Sequence, residues 1–142
     1  MRNGGDRKQI LVIDKEDKIT KVISRILRDE YTVFATHSGY YGLQRAKERI
    51  PDLVLLGLNL SGMRGMEVLK NLKELETDIP VIVMTTNKRV KDAVQAIELG
   101  ATFFITKPFD IETLRKYIEN LFYLHKRPSQ GDLRFERASH RM

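Results

Sequence analysis

Four short polar clusters interrupt the apolar runs of this 142-residue chain: Asp14-Lys15-Glu16, Gly57-Leu58-Asn59, Thr85-Thr86-Asn87 and Thr106-Lys107-Pro108. Between them they offer carboxylates that can accept hydrogen bonds or hold a hard cation, ammonium groups that can hold an anion, and hydroxyls that can do either. Each also has an ordinary alternative. Asp14 can be a cap or an ion-pair partner, Lys107 can be solvated or paired with Asp14, and Thr85 can be a hydroxyl bonded to backbone. Other chemistry is excluded more firmly. With no cysteine there is neither a disulfide nor a thiolate site. His37, His125 and His140 lack metal-ligand spacing and are expected to be surface residues. No Gly-rich loop follows the first apolar run, which argues against a nucleotide or flavin site.

These clusters lie at the ends of elements that alternate in type. Ile10-Leu11-Val12-Ile13, Leu53-Val54-Leu55-Leu56, Val81-Ile82-Val83-Met84 and Phe103 to Thr106 are short apolar runs, as expected of strands covered on both faces. Thr32 to Thr36 is more polar and suits a sheet edge. Between the runs, helical spacing recurs: Ile19, Val22, Ile23, Ile26 and Leu27; Leu43 and Ala46 after a Ser38 cap; Met66, Leu69, Leu72 and Leu75; Val90, Val94 and Ile97; and Ile111, Leu114, Ile118, Leu121 and Phe122 after Asp110. Gly100 is placed to end the fourth helix in a left-handed turn. Five strands alternating with five helices predict an α/β fold, a doubly wound parallel sheet in the order 2-1-3-4-5, with the carboxyl ends of strands 1, 3, 4 and 5 at one edge.

The length suits one domain, expected over residues 9–127 between an N-terminal tail (1–8) and a basic C-terminal tail or linker (128–142). Net charge is +6, but residues 1–9 contribute +2 and residues 126–142 contribute +3, leaving +1 for residues 10–125. Basic ends of this kind are usually solvated, so nucleic acid is not the expected partner. No apolar run approaches the ~20 residues of a membrane span and no signal-peptide core opens the chain, so a cytoplasmic protein without a membrane partner is expected.

Five blocks, in order and spacing, carry a resemblance. They are Ile10 to Asp14, Pro51 to Leu56, Gly62-Met63-Arg64-Gly65-Met66-Glu67-Val68-Leu69, Pro80 to Thr85, and Gly100-Ala101 through Lys107-Pro108-Phe109. Over residues 9 to about 125 the chain resembles the receiver domain of bacterial two-component response regulators. The resemblance implies the flavodoxin-like (βα)5 fold and a phosphoryl transfer onto an aspartate after strand 3, with Mg²⁺ held by acidic residues after strand 1. On that pattern Asp14 is the first acidic position, Thr85 the hydroxyl, Lys107 the lysine and Phe104 the switch aromatic. The acceptor position is Gly57, which has no side-chain oxygen, and the second acidic position is Lys15. Asn59 carries an uncharged amide, and Asp52 stands at the far end of the strand, roughly 16 Å away. Ser61 and Arg64 replace the family's usual proline and aspartate.

The sequence therefore predicts a pseudo-receiver: not an enzyme, not phosphorylated, with no cofactor and no Mg²⁺, acting by protein-protein interaction with a histidine kinase, an output domain or another regulator. The rivals are a true phosphoacceptor in which Gly57 is a sequence change, a nucleic-acid-binding protein using its basic tails, and a flavodoxin-like enzyme. Two structural expectations follow. Lys107 should pair with Asp14, and the space left beside Gly57 should admit water or a small anion. The resemblance also implies a homodimer or docking face on helix 4, strand 5 and helix 5, to which Tyr117, Tyr123 and Leu124 would add surface beyond the helix's own apolar stripe.

Overall fold

A computed structural model of the chain describes residues 7–76, 78–86 and 89–125, apart from the side chains of Leu124 and His125. Asn87, Pro128, His140 and nearly all of the two basic tails lie outside the described residues. The elements run β1 (Gln9–Ile13), α1 (Asp17–Leu27), β2 (Thr32–Thr36), α2 (Gly39–Glu48), β3 (Leu53–Gly57), α3 (Gly65–Leu75), β4 (Val81–Thr85), α4 (Val90–Glu98), β5 (Phe103–Thr106) and α5 (Ile111–His125). They fall into two compact units, one ending at Pro108 with β1 to β5 and α1 to α4, the other beginning at Phe109 and holding α5.

All five strands pair in parallel in the order β2-β1-β3-β4-β5. Every residue of β3 and β4 is buried, because both faces of these central strands are covered, whereas β2 at the edge is half-buried or exposed. Alternation divides the strand residues between the two faces. Leu11, Ile13, Val54, Leu56, Val81 and Val83 join Leu43 and Ala46 of α2, Val68, Leu69 and Leu72 of α3, and Ala96 of α4 in one buried cluster. Ile23 and Leu27 of α1 are buried outside that cluster. A right-handed crossover from β1 back to the edge strand sends α1 to the opposite face from α2, α3 and α4. Fully burying a Leu, Ile or Val is worth about 1.5–3 kcal/mol, so these side chains are the main term holding the strand ends in place.

Local chemistry sets the helix ends. Ser38 caps α2, its hydroxyl oxygen accepting the Tyr41 N–H at 3.1 Å. Gly100 follows α4 with φ of +109°, a conformation that a side chain resists. In α5, Leu114, Ile118 and Leu121 are buried and Tyr123 is exposed. The helical stripe of α4 turns the other way: Val90, Val94 and Ile97 are 76%, 48% and 49% exposed, and only Ala96 of that helix is buried. No described helix is long and apolar enough to cross a membrane.

The positive φ gives a direct test. Gly100→Ala should lower unfolding free energy by about 1–2 kcal/mol in urea titrations, with the slope unchanged.

Candidate functional site

Strand register brings the polar clusters together. Ile13 is level with Leu56, Gly57 with Met84, and Thr85 with Thr106, so Asp14, Gly57, Thr85 and Lys107 end up side by side at the carboxyl edge. Asp14 is held there by its own backbone, whose N–H donates to the Thr36 carbonyl at 3.2 Å. The Lys107 N–H donates to the Thr85 carbonyl at 2.7 Å and fixes where that lysine leaves the sheet.

Asp14 is 1% exposed, and the Lys107 side chain 10%. Lys107 Nζ lies 2.8 Å from Asp14 Oδ2 and donates a hydrogen bond to Glu16 Oε1 at 2.7 Å. The contact with Oδ2 is ionic and lacks hydrogen-bond alignment, so that oxygen has no aligned donor among the described residues. Asp14 Oδ1 accepts the Glu16 N–H at 2.9 Å. Burial alone would lower the Lys107 pKa, yet its close contacts with Asp14 and Glu16 and their charge attraction outweigh that and raise it above 10.5. The same Lys107 hydrogen bond and charge hold Glu16 below its ordinary 4.5.

The place of a side chain at position 57 is taken. A β-carbon built on Gly57 would lie 2.8 Å from Asp14 Cγ and collide with Oδ2. The position that a side chain at 57 would occupy is therefore filled by the Asp14 carboxylate, which folds over the glycine. A cavity of about 120 Å³, lined by Asp14, Lys15, Glu16, Asn59, Thr85, Thr86 and Lys107 among others, stays open beside it and has room for water or a small anion. Lys15 and Asn59 are exposed, and Thr85 is 4% exposed. Phe104 is half-buried against the core beneath. Asp52 is confirmed at the opposite end of β3, where its Oδ2 accepts the Gln9 N–H at 2.7 Å.

Residues 10–119 match the family described as the response regulator receiver domain. The chain belongs to that family. As a receiver domain it is a module of two-component signalling. It is 38% identical over 110 residues to the uncharacterized transcriptional regulatory protein YkoG of Bacillus subtilis, covering 77% of this chain and 48% of that protein. It is 33% identical over 112 residues to sporulation initiation phosphotransferase F of the same organism, covering 78% of this chain and 90% of that protein. A CheY-like receiver domain structure from Methanospirillum hungatei superposes with a TM-score of 0.79 at 26% identity, covering 87% of this chain and 100% of that one. The chain thus spans about half the length of YkoG.

Two contacts of this receiver domain had no sequence signal of their own. Glu16 is the second anchor of Lys107, and only the i, i+2 spacing of two carboxylates in an extended segment hinted at it. His37 Nε2 lies 3.2 Å from both Asp17 Oδ1 and Thr20 Oγ1 and joins the β2–α2 loop to α1. Of the residues expected to add surface on helix 5, Tyr117 is half-buried and Tyr123 is 70% exposed, while the Leu124 side chain is outside the described residues.

Breaking one side of a buried pair leaves the other charge stranded. Lys107→Met and Asp14→Ala should each cost about 3–5 kcal/mol in chemical denaturation, and the double variant less than their sum, by the logic of a double-mutant cycle.

The shifted groups also fix a pH window. Glu16, lowered in the fold, adds stability above 4.5 that is lost as pH falls through its folded value, and Lys107, raised, adds stability that is lost as pH rises above 10.5. Glu16→Gln should shrink both limbs of an unfolding-versus-pH series, the acid one because that carboxyl no longer titrates and the alkaline one because Lys107 loses one of its two anions.

Proposed function

We propose that this receiver domain is a pseudo-receiver, which signals by protein-protein contact and takes no phosphoryl group. The observation that carries this is the Asp14 carboxylate lying over Gly57, where an acceptor side chain would stand. No oxygen is attached at position 57, and Asp14 is engaged with the Glu16 amide and Lys107.

The same contacts do not fit Mg²⁺. A hard divalent ion wants about six oxygen ligands, and here the one buried carboxylate already faces an ammonium at 2.8 Å, with the exposed Lys15 beside it. Lys107 supplies the positive charge that a metal would bring, so no cofactor is part of this proposal.

A module without a phosphoryl switch must present a face that is already competent. The exposed stripe Val90, Val94 and Ile97 of α4 is such a face, since apolar side chains at helical spacing in water favour burial against a partner. A histidine kinase, an output domain or another regulator is the partner class proposed, and the homodimer expected on helix 4, strand 5 and helix 5 is one form of that contact. Nucleic acid is not proposed.

Incubation with acetyl phosphate and Mg²⁺ should leave the intact mass unchanged. An acid-labile phosphoryl adduct on the wild-type chain overturns the proposal.

A further inference from the structure

On the face of the sheet away from α1, a groove of about 420 Å³ opens between α2 and α3. Its apolar lining is Leu43 from α2 with Met63 and Leu75, all three joined to the main core cluster. Its polar lining comes in matched halves. Lys47 and Gln44 stand on the α2 wall, Glu74 and Asn71 on the α3 wall. Neither Lys47 nor Glu74 is in an ion pair with any described residue. At the head of the groove Tyr40 is 60% exposed, and Tyr41 beside it is 65% exposed, their rings edge to face at 5.6 Å. Two exposed tyrosines next to an apolar groove have the composition of an interface centre.

The charges say what covers it. A patch with a cation on one wall and an anion on the other, neither paired with a described residue, is complementary to itself under a two-fold rotation about an axis along the groove, which sets each wall against the other wall of the partner. The amides of Gln44 and Asn71, each both donor and acceptor, satisfy the same condition. A phosphate polyanion or an anionic membrane gains nothing from a rim that sums to zero. We propose that this face binds a second copy of the chain, with Lys47 of one protomer against the partner's Glu74, and the reverse, around the Tyr40 rings. The inference is independent of whether the strand-end site takes a phosphoryl group.

Sedimentation equilibrium of the whole chain tests it by charge exchange. The wild type should dimerise, while Lys47→Glu and Glu74→Lys should each weaken dimerisation by about tenfold or more, since each places like charges face to face twice. An equimolar mixture of the two variants should regain dimers, as should the double variant, because both arrangements restore opposite charges. Tyr40→Ser should weaken assembly. All these positions are exposed, so circular dichroism should show each variant folded. A wild type that stays monomeric at every concentration overturns the proposal. So does a Lys47→Glu chain that assembles like the wild type, or a mixture no better than its components.

Discussion

The ammonium of Lys107 sits between two carboxylates, 2.8 Å from Asp14 and 2.7 Å from Glu16, at the edge where the central strands end. It joins the turn after β5 to the turn after β1, and the geometry at position 57 depends on it. Asp14 lies over Gly57 because Lys107 draws Oδ2 and the Glu16 amide holds Oδ1. Any side chain at 57 must displace that carboxylate. Asp14, buried at 1% exposure, would then have to keep a cation nearby. The absence of a side chain at one residue and the burial of a charge at another are two halves of one arrangement.

Such a pair is not a source of much net stability. Desolvation offsets most of the attraction when both charges are withdrawn from water, while removing either partner is costly. Its effect is to define one state. Here the lysine is paired with two carboxylates of the turn after β1. The parallel sheet makes this possible, because its register sets the ends of β1, β3, β4 and β5 level and its apolar interior keeps them there.

Much of this was legible in the sequence, for reasons that can be named. Unbroken apolar runs fixed the central strands and the polar Thr32–Thr36 run the edge strand, since a strand covered on both faces has no polar side. Ser38 and Gly100 marked helix ends through hydrogen bonding and backbone freedom. The Lys107 to Asp14 pair followed from charge balance once both residues were placed at one edge. The filling of the space over Gly57 did not follow, because it depends on the direction in which Asp14 turns its carboxylate. Glu16 was missed for the same reason. Periodicity told that Val90, Val94 and Ile97 share one side of α4 without telling that this side faces water. The α2–α3 groove, made by residues from two helices, had no sequence signature at all.

The central claim is that the strand-end site is closed by its own residues to both metal and phosphoryl group. Amide chemical shifts of ¹⁵N-labelled chain during titration with Mg²⁺ and beryllofluoride, a phosphoryl mimic, report on it directly. The account predicts no saturable shift at Asp14, Gly57, Thr85 or Lys107. Saturable shifts at those four amides, spreading to Phe104, would contradict it.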